Sequence, residues 1–141
     1  GAKIAAPDKV VIALVGDGAF GSVSPVVATA VENDLGVIWL VMDNYGYGVI
    51  TGLQKKAFGR VAGTEFKTAK DGEKYNPDFA MLAKAYGAEG YRVEDPKDLK
   101  PTLEKAVASG KPTVLDVVMD PEVFVPTTGY WDITDIFQGK V

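Results

Sequence analysis

The chain has 141 residues, 47% of them hydrophobic, and carries a net charge of −4 with a sequence pI near 4.8. That is ample apolar material for one packed domain, and an acidic surface with no basic run argues against nucleic acid and anionic membrane as partners. Cysteine and histidine are both absent, which excludes a disulfide framework and a thiolate metal site, suits a cytoplasmic setting, and removes the commonest general base from any chemistry the chain performs alone.

The residues show no signal-peptide pattern, and no apolar stretch approaches the ~18 residues of a membrane span. The opening GAKIAA reads as the last turn of a helix, with Pro7-Asp8 as the break before the first strand. Two apolar runs follow, VVIALV from position 10 and VIWLVM from position 37, each too short for a membrane span and rich in β-branched residues, so that each reads as a strand buried on both faces. Between them, Ser24 and Pro25 predict a helix start and Gly36 its stop. This is one βαβ unit. Its crossover is right-handed in nearly every known case and brings the carboxyl ends of both strands to one rim.

The segment 47–58 is compatible with a helix that places Val49, Ile50, Leu53 and Ala57 on one side and Gln54, Lys55 and Lys56 on or near the wet side. Residues 59–75 are glycine- and charge-rich without a period and predict a mobile surface loop, its Arg60, Lys67, Lys70 and Lys74 read as a solvated face. Asn76-Pro77 opens a helix ended by Gly87, and a short strand, AEGYRV, comes next. A second helix starts at Asp95-Pro96 with Leu99, Leu103, Ala106 and Val107 on one face; Pro101 is tolerable there if Asp98 is the cap and the proline stays in the first turn. TVLDVVM is the last buried strand, and its Asp116 reads as a surface or hydrogen-bonded acid. The alternation predicts a doubly wound, mainly parallel α/β sheet flanked by helices and incomplete at its N-terminus, over residues 1–120. A separate aromatic tail, 121–141, must pack on this domain or on a partner. Its Phe124, Tyr130 and Trp131 are read as structural glue or as a lid.

Each of the first two strands empties into glycines and oxygen-bearing side chains: Gly16-Asp17-Gly18 after the first, Asp43-Asn44-Tyr45-Gly46-Tyr47-Gly48 after the second. The topology makes Asp17 and Asn44 neighbours in space. A carboxylate, an amide oxygen and glycine carbonyls suit a hard cation such as magnesium. Gly18, Ala19 and the start of the next helix offer amides to an anion. No Lys or Arg occurs between positions 10 and 54, so a phosphate held here must be neutralised by a metal and by amide dipoles. Tyr45 and Tyr47 also have a plainer reading, as packed rings with hydroxyls in water.

This pattern resembles the GDG-to-NN signature of the thiamine diphosphate enzymes, in particular the decarboxylase, acetolactate synthase and oxidase superfamily. Asp43 departs from it, standing where the family usually has the first Asn. The resemblance implies magnesium ligands at Asp17, Asn44 and the Gly46 carbonyl. It also implies a cofactor site of Asp17, Gly18, Ala19, Asn44, Gly46, Tyr47 and Gly48, and a substrate pocket near Ile50 and Gln54, for which core packing and simple solvation are the bland alternatives.

The resemblance further implies the C-terminal part of a larger or split enzyme. A pyrimidine-binding domain or subunit supplies the activating glutamate, so no catalytic residue is assigned to this chain, which is expected to be inactive alone and to belong to a homo- or hetero-oligomer. The implied reaction is decarboxylation of a small 2-oxo acid with carboligation, as in acetolactate synthase. The alternatives are a non-catalytic module that binds magnesium and a nucleotide or phosphate, and a structural α/β domain in which Asp17 and Asn44 merely make turns.

Overall fold

A computed structural model describes residues 1–123, so the tail aromatics Phe124, Tyr130 and Trp131 lie outside the described residues. Four strands, β1 (Val11–Gly16), β2 (Val37–Asp43), β3 (Glu89–Val93) and β4 (Thr113–Val118), form one wholly parallel sheet in the order β1-β2-β4-β3. The central strands are the most apolar because both of their faces are covered. Val41, Val114 and Leu115 are fully buried. The family of helices comprises α1 (Ala2–Ala5), α2 (Asp17–Val23), α3 (Val26–Glu32), α4 (Gly48–Phe58), α5 (Phe79–Ala85) and α6 (Pro96–Ser109).

The helices cover both faces, as a doubly wound sheet requires. On one face Phe20 of α2, Val27 and Ala30 of α3, and Phe79 and Ala83 of α5 pack against Trp39, Val41 and Val114. Phe20 and Phe79 meet edge to face at 5.4 Å, and each ring contributes roughly 1.5–3 kcal/mol by leaving water. On the other face Ala106, Leu99 and Leu103 of α6 cover Ile38 and Leu115. Among the described residues that cover stops short of β1, an edge strand whose Ile12 and Leu14 are 45% and 64% exposed. Among the described residues no helix is long and apolar enough to cross a membrane.

Several local expectations are corrected. The segment after β1 is helical from Asp17 onward, and the next helix begins at Val26 after Pro25, one residue later than the sequence implies. α4 buries only Thr51; Val49, Ile50 and Phe58 are exposed, so its apolar side does not face the core. Asp78 caps α5 by accepting from the Met81 amide, and Asp95, rather than Asp98, caps α6 by accepting from the Lys97 amide. Pro101 therefore lies inside α6, on its exposed side, and Val107 is 39% exposed.

Residues 59–75 are not a free loop. Tyr47 donates its amide to the Thr64 carbonyl at 2.8 Å, Phe66 donates to the Tyr45 carbonyl at 2.8 Å, and Gly46 and Glu65 form an antiparallel bridge. The segment is a short ribbon laid along the turn that leaves β2.

Candidate functional site

The register of the sheet sets Gly16 beside Met42. Asp17, the first residue of α2, thus stands at the same rim as the 43–48 turn. It is 2% exposed. Its Oδ2 accepts from the Gly46 amide at 3.0 Å and from Asn76 Nδ2 at 2.7 Å, and its Oδ1 accepts from the Gly18 amide at 2.7 Å. These three donors fix the carboxylate's orientation, and none of them carries a positive charge. The Gly18 amide, expected to face an anion, is turned on Asp17 instead.

Asp43 is fully buried one strand away. Its Oδ1 accepts from the Tyr45 amide at 3.2 Å and from the same Asn76 amino group, while its Oδ2 stands 3.7 Å from Arg92 Nη1. Burial pushes its pKa up, the hydrogen bonds from Asn76 and the Tyr45 amide pull it back, and the charge of Asp17 adds to the rise. Arg92 reaches further, pairing with Asp116 Oδ2 at 2.6 Å and with Glu94 at 3.0 Å, and donating to the Tyr45 hydroxyl at 3.2 Å. Burial works against the guanidinium's charge, but Glu94 and Asp116 outweigh it and hold it cationic. Asp116 is hydrogen-bonded, as one of its two expected readings had it, but it is not at the surface. Burial pushes its pKa up to about 6 against the pull of Arg92.

Tyr45 is in the left-handed region at φ 60°, a conformation that costs a bulky residue of order 1–3 kcal/mol. The Arg92 contact to its hydroxyl and the Phe66 amide on its carbonyl hold it there. Gly46 has no room for a side chain: a Cβ would come within 2.4 Å of the Thr64 carbonyl oxygen. At Gly48 a Cβ would come within 2.4 Å of Asn44 Nδ2. Glycine at both positions lets the turn close between Asp17 and the 64–66 ribbon while the Asn44 side chain keeps its place.

A cavity of about 430 Å³ opens at this rim, and its wall contains Asp17, Gly18, Ala19, Asn44, Gly46, Tyr47 and Gly48 together with Ile50. All of the expected cofactor residues converge there. Gln54 does not; its side chain is spent on the Ala62 backbone and the Thr64 hydroxyl, tying α4 to the ribbon. Val49, Met119 and Val123 also line the cavity. Tyr47 packs edge to face on Phe66 at 5.2 Å.

The donor set fits a hard cation. Among the described residues no group of three His, Cys, Asp or Glu side chains forms a metal cage, so a cation here depends on one carboxylate plus amide and carbonyl oxygens, with other ligands from phosphate and water. The first turn of α4 fits the anion. Its first backbone bond runs from the Thr51 amide to the Tyr47 carbonyl, which leaves the amides of Gly48, Val49 and Ile50 without intrahelical partners beside the cavity. Asn76 and Arg92 were not legible as site residues, since the first comes from the approach to α5 and the second from β3.

Comparison with known proteins agrees with this geometry. The family model described as the thiamine pyrophosphate enzyme C-terminal TPP binding domain matches residues 1–117. A 3D-(3,5/4)-trihydroxycyclohexane-1,2-dione hydrolase from Halalkalibacterium halodurans is 38% identical over 92% of this chain, and a probable acetolactate synthase large subunit from Methanocaldococcus jannaschii is 35% identical over 89%. The chain spans 20% of the length of each of these relatives. Among solved structures, a thiamine diphosphate-dependent 4-hydroxybenzoylformate decarboxylase from Rhodococcus jostii is similar with a TM-score of 0.73 and 28% identity, over 84% of this chain and 21% of that one. A benzoylformate decarboxylase from Polynucleobacter necessarius shares the fold, with a TM-score of 0.74 at 24% identity over 86% of this chain and 22% of the other.

Proposed function

Because the chain belongs to the thiamine pyrophosphate enzymes, as their C-terminal cofactor-binding domain, we propose that it anchors the diphosphate and magnesium in an enzyme acting on substrates with adjacent carbonyl carbons. The observation that carries this reading is the convergence of Asp17, Asn44 and Gly46 on one cavity wall within a stretch that contains no Lys or Arg. Asp17 and Asn44 would hold magnesium through side-chain oxygens and Gly46 through its carbonyl, and the cation would neutralise the diphosphate. The unpartnered amides of α4 would take further phosphate oxygens. Bound there, thiamine diphosphate supplies a nucleophilic carbon and an electron sink, while the protein supplies position and electrostatics.

Two substrate classes fit that chemistry. The first is a small 2-oxo acid, decarboxylated and joined to a second carbonyl as in acetolactate synthase, which is lyase or transferase chemistry. The second is hydrolysis of a cyclic 1,2-dione, the activity named for the Halalkalibacterium halodurans relative. Val49, Ile50, Met119 and Val123 in the cavity lining favour the first, since a polyhydroxylated ring would leave its hydroxyls without partners against such a wall. The glutamate that activates the cofactor would come from a pyrimidine-binding domain or subunit, in a homo- or hetero-oligomer. Isothermal titration of the full-length protein with thiamine diphosphate, with magnesium or with chelator, tests the anchor. Magnesium-dependent binding that Asp17→Ala and Asn44→Ala each weaken at least 100-fold is expected, with no comparable binding of ADP. Equal affinity for ADP would favour the nucleotide-binding module, and binding indifferent to both substitutions would sink the anchor.

A further inference from the structure

Asn76 stands on the far side of Asp17 from the cofactor cavity. It does not border that cavity; it lines a second, shallower one with Phe79 and Tyr75. From there its one amino group donates to two buried carboxylates, Asp17 Oδ2 at 2.7 Å and Asp43 Oδ1. Both partners accept and neither donates when ionised, so the amide must present its NH₂ side to them. Asp17 is 2% exposed and Asp43 fully buried. With Asn76 in place both carboxylates are held away from bulk water, and without it two carboxylates would be left facing one another across the gap.

We propose that Asn76 is a positioning residue for the metal site: by engaging Asp17 Oδ2 from behind, it holds the carboxylate with Oδ1 toward the cavity, while its second hydrogen bond keeps Asp43 from displacing or repelling Asp17. The Gly46 amide engages the same Oδ2 at 3.0 Å, so Asn76 and the turn that carries the candidate carbonyl ligand grip one oxygen, while among the described residues Oδ1 accepts from the Gly18 amide alone and keeps a lone pair for a cation. Asp43, standing where the resembled signature usually has Asn, gives this grip a second carboxylate to hold. An Asn there would be neutral, whereas Asp43 brings a second carboxylate to the back of the site. Support of this kind behind a ligand typically accounts for 10- to 100-fold in metal affinity.

The inference rests on the reading of Asp17 as a magnesium ligand, and the test separates the two. In the full-length protein, the magnesium dependence of thiamine diphosphate binding is titrated for the wild type, Asn76→Ala, Asn76→Asp and Asp17→Ala, with thermal melting of each in chelator. Asn76→Asp keeps the shape and removes both donors. The expected result is an apparent magnesium Kd weakened roughly 10- to 100-fold by either Asn76 variant, with the Asp variant at least as impaired as the Ala variant. A purely structural Asn76 would instead lower the metal-free melting temperature and leave the magnesium Kd of the folded protein within two-fold, which overturns the proposal. Should both variants fail to fold, Asn76→Ser, which keeps one donor, decides: an intermediate loss of magnesium affinity supports the proposal and an unchanged one overturns it. If Asp17→Ala abolishes magnesium-dependent binding while the Asn76 variants bind normally, only the positioning role falls. If Asp17→Ala also binds normally, the anchor reading falls with it.

Discussion

Asp17 and Asp116 are both buried acids on or beside the sheet, and they are held in opposite ways. Asp116 has a resident cation, Arg92, at 2.6 Å. Asp17 accepts from two backbone amides and a carboxamide, which orient its charge without cancelling it. One acid is paired with a cation inside the protein; the other lies on a cavity wall with only neutral donors on it. The difference separates an acid that completes a structural ion pair from one suited to an incoming cation, although a sequence shows only two aspartates near strand ends.

Arg92→Ala should sharpen the contrast most, because it leaves Asp116 and Asp43 buried without their cation. Breaking a buried pair by removing one partner costs about 3–5 kcal/mol, to be read as a lowered midpoint in urea denaturation, and because the guanidinium is 29% exposed the lower end is expected. A loss under ~1 kcal/mol would mean that the two acids simply take up protons at little cost.

Asp116→Asn should come next. The native pKa of about 6 lies above the ordinary 3.8, so the folded protein binds more protons than the unfolded chain between those values. The stability this proton uptake contributes is complete below about pH 4 and lost as pH rises through 6. The variant should flatten that decline by about 2–3 kcal/mol, at ~1.4 kcal/mol per pKa unit; a pH–stability profile parallel to the wild type would refute the burial argument. Tyr45→Phe should have the smallest effect. It removes the acceptor for Arg92 Nη2 and should cost about 1 kcal/mol in the same assay.

The sequence carried the framework of the site because that framework is local. The β-branched runs of β1 and β2 specify buried parallel strands, and parallel strands joined by a crossover helix share a rim. What failed was either propensity or distance. Gly16-Asp17-Gly18 reads as a turn because glycine disfavours helix by about 1 kcal/mol, yet Asp17 opens α2, with Phe20 locked against Phe79 supplying the packing that overrides propensity. Asp95 and Asp98 both precede plausible first turns, and nothing local decides that Asp95 is the cap. The periodicity of α4 reports amphipathicity and not what the apolar face meets, so Ile50 stood open between pocket and core; it lines the cavity. Asn76 left no local trace of its role, since its partners lie 59 and 33 positions away.

The bare flank of β1 has a practical meaning for anyone handling the chain by itself. Among the described residues the strand pairs on one edge only, and Val10, Ile12 and Leu14 are exposed without a charge among residues 10–16. Such an edge offers a ready template for another strand, and among the described residues no charge or proline on β1 resists self-association. A preparation of these residues alone should therefore clump through β1 as its concentration rises, and a Lys at position 14 would be the simplest way to keep it in solution.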